Sequence, residues 1–76
     1  MIKIYSTPSC VWCHRAKEYL KGRNIEFVDV DVSKDRIKAA EMIEKSGQMG
    51  VPVIDIDGKI IVGFDQKAID AELHIK

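Results

Sequence analysis

Only two cysteines occur in the chain, Cys10 and Cys13, too few for the multi-bridge scaffold that small secreted domains rely on. Neither sign of charge is in excess: twelve lysines and arginines balance twelve aspartates and glutamates, a formal net charge of zero. A basic footprint for nucleic acid is therefore missing, and so is a basic face for an anionic membrane surface. No hydrophobic run approaches the length of a membrane span. The opening Met1-Ile2-Lys3-Ile4-Tyr5 is too short in apolar residues for a signal peptide and has no small-residue cleavage site. Repeats, linkers and low-complexity stretches are also wanting. These absences leave a globular protein expected in the cytoplasm, where a close cysteine pair is read as chemistry rather than bracing.

What is present suffices for one domain over residues 1–76, with 46% hydrophobic residues for a core and 32% charged residues to solvate it. Ile2, Ile4 and Tyr5 begin a strand that Ser6-Thr7-Pro8-Ser9 closes with turn and helix-start chemistry. From Val11 to Lys21 the residues favour helix, with Cys13, Ala16 and Leu20 on one stripe and a stop at Gly22-Arg23-Asn24. Ile25 to Val32 alternates as a strand, Phe27, Asp29 and Asp31 opposite Val28, Val30 and Val32. Ser33 is placed to cap a second helix whose stripe is Ile37, Ala40 and Ile43 or Glu44, ended by Gly47. Val51-Pro52-Val53-Ile54 and Ile60-Ile61-Val62 flank Asp57-Gly58, a strong hairpin signal. Asp65 is placed to cap a last helix with Ala68, Ile69 and Leu73 inward. The order predicts an α/β fold: a parallel βαβ unit, then a hairpin that adds antiparallel strands, giving a four-stranded mixed sheet with three helices.

Cys10-Val11-Trp12-Cys13 follows a predicted strand directly and opens a helix. Helix N-termini carry unpaired N–H groups and about half a positive charge, which stabilise a thiolate. In C-x-x-C sites the thiol pKa falls from about 8.5 towards 7 or below. The first seventeen residues contain no acid, while Lys3, Arg15 and Lys17 add positive field. Cys10, at the exposed end, is expected to attack, and Cys13, one turn in on the apolar stripe, to resolve. Other uses of the pair remain open. Zinc would want four ligands, of which only His14 and His74 could join the cysteines. Cys10 to His14 also spells C-x-x-C-H, the attachment motif of a c-type haem. A cluster shared between two chains is a third carrier reading. His14 itself reads as an exposed helix residue.

Taken together, several segments in their order and spacing resemble the glutaredoxins over nearly the whole chain. They are Ile4-Tyr5, Cys10-Val11-Trp12-Cys13-His14-Arg15-Ala16-Lys17, Glu41-Met42-Ile43, Ser46-Gly47-Gln48, Val51-Pro52 and Gly63-Phe64-Asp65. The resemblance implies a thioredoxin fold in the order βαβαββα and a cis-proline at Pro52 beside the cysteines. It implies a dithiol oxidoreductase that reduces protein disulfides or glutathione mixed disulfides. Glutathione would be cosubstrate, with no bound cofactor and no resident metal. Trp12, Val51, Pro52, Gly63, Phe64 and Asp65 would form the glutathione or substrate site, the Phe64 and Asp65 amides meeting its γ-glutamyl carboxylate and the Asp65 side chain its ammonium. The expected partners are glutathione and disulfide-containing or glutathionylated proteins, and the expected state is a monomer. Val11 keeps an N–H that the usual proline lacks, offering the thiolate a donor. Thr7, Gln48 and Val62 stand where the family commonly has a basic residue, a second basic residue and a glycine. Cys-Val-x-Cys and the Gly-Phe turn also look like the glutaredoxin-like electron donors of ribonucleotide reductase, which are recharged by thioredoxin reductase.

Overall fold

The computed structural model describes residues 1–73. Seven elements follow in the order β1 (Ile2–Ser6), α1 (Val11–Gly22), β2 (Val28–Asp31), α2 (Arg36–Ser46), β3 (Val53–Ile56), β4 (Lys59–Val62) and α3 (Gln66–Leu73). The sheet order is β2-β1-β3-β4. β2 runs parallel to β1 with Tyr5 beside Val30, and β3 runs antiparallel with Ile4 beside Ile54. β4 returns antiparallel to β3, with Ile54 beside Ile61. This is the thioredoxin fold expected from the resemblance.

Period-two alternation along the strands divides the core in two. Ile2, Ile4, Ile54, Ile56 and Ile61 face Ala16 and Leu20 of α1 and Ile69 of α3, with Ala68 and Leu73 packed beside them. The other face carries Tyr5 and Val53 against Met42 of α2, with Val30, Val32, Val51 and Ile60 around them. Asp57 and Gly58 both take positive φ, 49° and 96°, which gives the hairpin its tight turn.

Three sequence expectations are corrected. The second strand is shorter than Ile25–Val32, because it pairs only with β1 and ends where β1 ends, at Ser6 beside Asp31. Ile25 and Phe27 instead pack on the larger core as irregular chain. The cap of α2 is Asp35, not Ser33: Asp35 Oδ1 accepts from the amides of Ile37 and Lys38 at 3.0 and 3.1 Å. Ser33 is turned back onto Asp31, donating to its carboxylate through both backbone and side chain. Asp35→Ala should therefore cost about 1 kcal/mol in urea unfolding, while Ser33→Ala should cost only a few tenths. Equal effects would contradict the assignment. Lastly, α2 turns its predicted stripe outward, with Ile37 80% exposed, and buries Met42 instead.

A polar network compensates for so small an apolar contact. The Tyr5 hydroxyl donates to Glu41 at 2.5 Å, and the Lys45 ammonium donates to Tyr5 at 3.1 Å and to Asp55 at 2.8 Å. The Gly58 amide gives Asp55 a further bond at 2.8 Å. Burial raises the Asp55 pKa, but Lys45 and the Gly58 amide outweigh it and hold the carboxyl below its ordinary 3.8. A depressed carboxyl stabilises the fold above its unfolded pKa, and that contribution disappears as pH falls through the native value. Lys45→Met should cost about 1.5–3 kcal/mol at neutral pH, and clearly less once the pH has fallen through the depressed native value of Asp55, where that carboxyl is protonated. Urea unfolding at the two pH values checks this. An unchanged difference would assign the effect to packing alone.

Candidate functional site

The site is assembled where α1 begins, between the ends of the central strands. Cys10 is the N-cap of α1, with extended backbone (φ −87°, ψ 113°), and its amide donates to Thr7 O at 3.3 Å. Cys10 and Cys13 are joined by a disulfide, their Cα atoms 5.2 Å apart. The Cys13 amide donates to Cys10 Sγ at 3.1 Å, so the exposed first turn of the helix holds the sulfur through that N–H. The Val11 amide, the donor suggested by the sequence, makes no such bond among the described residues. Cys10 is half-buried and Cys13 fully buried, the inequality that their places on the helix predict.

The Val51–Pro52 peptide is cis, and Cys10 Sγ lies 3.9 Å from the Val51 carbonyl oxygen. Gly63 donates to the Pro52 carbonyl at 2.8 Å, which ties the start of the last turn to the proline loop. Trp12, Val51, Pro52, Gly63 and Phe64 together line a cavity of about 280 Å³. Five of the six residues expected to bind glutathione or substrate thus share one concavity. The sixth, Asp65, stands next along the chain and caps α3, its Oδ1 accepting from Ala68 N at 3.1 Å. Gly63 holds φ at 79°, a left-handed turn that a side chain would strain. Among the described residues the Phe64 and Asp65 amides meet no carbonyl, so two donors remain at the head of α3.

Two supporting contacts escaped the sequence reading. The Arg15 guanidinium lies over the Trp12 ring, 5.1 Å from its centroid, and steadies a side chain that is 57% exposed. Three-residue helical spacing could have signalled that pair. Tyr19 meets Phe64 edge-on at 5.6 Å and fixes the far wall of the cavity; no local pattern announces a contact so distant in sequence.

Gln48 does not reach outward as a basic residue there would. Its side chain donates to Gly50 O at 3.0 Å and accepts from the Gly50 amide, bracing the loop before Val51. His14 is exposed, with its ring Nε2 2.8 Å from the Pro8 carbonyl oxygen. No three His, Cys, Asp or Glu side chains converge as a metal cage among the described residues. His74 lies outside the described residues.

Such a site can carry thiol–disulfide exchange, and the chain as a whole is similar to known proteins. The glutaredoxin family model matches residues 2–61. A glutaredoxin-like 8.6 kDa protein in the rubredoxin operon of Clostridium pasteurianum is 61% identical over 70 residues, 92% of this chain and 93% of that protein. Glutaredoxin 3 of Escherichia coli is 38% identical over 71 residues, 92% of this chain and 86% of its own. The solved structure of the glutaredoxin-like protein NrdH-redoxin from Escherichia coli superposes with a TM-score of 0.77 at 27% identity, covering 99% of this chain and 93% of that one. This chain belongs to the glutaredoxin family, whose members are thiol–disulfide oxidoreductases.

Proposed function

We propose that the protein is a glutathione-dependent dithiol oxidoreductase acting on glutathionylated proteins and protein disulfides. The observation that carries this reading is the cavity beside Cys10, lined by Trp12, Val51, Pro52, Gly63 and Phe64 and followed by the open amides of Phe64 and Asp65. An extended cysteinyl peptide fits such a cavity. Its γ-glutamyl carboxylate would accept from the two amides at the head of α3, where the helix dipole also favours an anion. Its ammonium would meet the Asp65 carboxylate oxygen that the cap leaves over.

The Cys10 thiolate attacks the sulfur on the glutathione side of a mixed disulfide, and the protein substrate leaves as its thiolate. Cys10 now carries glutathione. Either a second glutathione thiolate attacks the glutathione sulfur, releasing oxidised glutathione and freeing Cys10 as its thiolate, or the Cys13 thiolate attacks the Cys10 sulfur, expelling glutathione and closing the intramolecular disulfide. Two glutathiones then return the pair to dithiols, supplying both electrons. A reducing compartment such as the cytoplasm sustains this cycle. In the test, Cys13→Ser protein is treated with oxidised glutathione and weighed. One glutathione should be found on Cys10, removable by dithiothreitol; protein that stays unmodified would contradict the proposal.

A second reading is a donor recharged by thioredoxin reductase. It is supported by Val11 in the active-site motif, by the Gln48 loop brace, and by the likeness to NrdH-redoxin, whose structure is described as underlying a thioredoxin-like activity profile.

A further inference from the structure

The outward face of α2 has no partner within the described chain. Ile37 is 80% exposed and Ile43 38%, and Arg36, Ala40 and Glu44 beside them are exposed as well. At 3.6 residues per turn these five fall within an arc of about 120°, with Ala40 in the middle. Two rows cross there: Ile37-Ala40-Ile43 at three-residue spacing and Arg36-Ala40-Glu44 at four-residue spacing. Both rows are symmetric about Ala40. A second α2 laid antiparallel across the first, with a two-fold axis beside Ala40, therefore brings Ile37 level with Ile43 of the second copy. It also brings Arg36 level with Glu44 of the second copy, base against acid. The small side chain at the crossing lets the helices approach closely.

The charges supply a separate argument. A helix dipole favours acids in the first turn and bases in the last. On this face α2 does the reverse, with Arg36 at its head, no acid in its first turn, and Glu44 two residues from its end. Neither Arg36 nor Glu44 forms an ion pair among the described residues. An antiparallel neighbour would give each of them its missing counter-charge.

We propose that α2 is a self-association surface through which two copies of this chain pair as a two-fold dimer. One face of an 11-residue helix falls short of the roughly 1,200 Å² that stable interfaces bury, so the dimer is weak and forms in concentrated protein. The monomer expected from the sequence is its dilute limit. Helices α1 and α3 cover the opposite face of the sheet, so pairing leaves the cysteines of both copies open. The inference is independent of the reductant.

Sedimentation velocity from micromolar to millimolar protein tests it with three variants. The wild type should shift from monomer towards dimer as concentration rises. Ile37→Glu should raise the dissociation constant about tenfold or more, and so should Arg36→Glu, which sets two acids together. Arg36→Glu combined with Glu44→Arg should restore association, since the pairs re-form with their signs exchanged. All these side chains are exposed and the exchanged charges suit the helix dipole, so circular dichroism should report unchanged folding. A wild type that stays monomeric at millimolar concentration would overturn the proposal. So would association that survives Ile37→Glu, or that the charge exchange fails to restore.

Discussion

Cys10→Ser should abolish reduction of every disulfide substrate, whereas Cys13→Ser should keep turnover of glutathionylated substrates and lose only the dithiol route. The asymmetry follows from position on one helical turn. Cys10 caps α1, takes the Cys13 amide at 3.1 Å and is only half-buried; Cys13 is fully buried on the stripe that packs into the core. When a thiol pKa falls from about 8.5 to about 7, its thiolate fraction at neutral pH rises roughly fifteenfold. Intrinsic nucleophilicity falls at the same time, by about four- to sixfold for a Brønsted slope of 0.4–0.5, so the attack gains only a few-fold. The larger kinetic difference between the two cysteines is therefore access. After reduction, iodoacetamide at neutral pH should label Cys10 at least about tenfold faster than Cys13, as read by peptide mass mapping. Faster labelling of Cys13 would reverse the roles.

Asp65→Asn should lower glutathione-dependent turnover by roughly tenfold or more. A hydrogen bond to a charged group contributes about 1.5–3 kcal/mol, and asparagine keeps the shape and the capping ability of Asp65 while removing its charge. The α3 cap on Ala68 should survive, so the melting temperature should move little. Reduction of the Cys10–Cys13 disulfide by dithiothreitol should be unchanged, because that reagent has no γ-glutamyl group. Trp12, the lone tryptophan and a neighbour of both cysteines in sequence, gives an emission signal for following it. Intact glutathione turnover in Asp65→Asn would remove the carboxylate from the glutathione site.

Much of this was legible in the chain itself, for reasons that differ by element. The Asp57-Gly58 hairpin, the α1 stripe of Cys13, Ala16 and Leu20, and the Asp65 cap are local patterns, and the structure bears each of them out. Pro52 is cis, as the family resemblance implied and composition could not. The α2 stripe misled because helical spacing identifies an apolar face without saying which way it points. Burial there is decided by distant partners: Tyr5 from β1 and Asp55 from β3 draw Glu41 and Lys45 onto the sheet and rotate Ile37 outward. The cap at Asp35 was missed for a related reason. Ser33 and Asp35 both suit a helix start, and the bond from Ser33 to Asp31 leaves Asp35 to do the capping. The cavity itself is built from three separate stretches of chain, which only the resemblance brought together in advance.

The most direct measurement is NADPH-coupled turnover of a glutathionylated substrate by the wild-type protein, driven in parallel by glutathione with glutathione reductase and by thioredoxin reductase alone. The proposed binding of glutathione in the cavity beside Cys10 predicts sustained turnover with the first system and none above background with the second. Turnover driven by thioredoxin reductase, with none from glutathione, would contradict it.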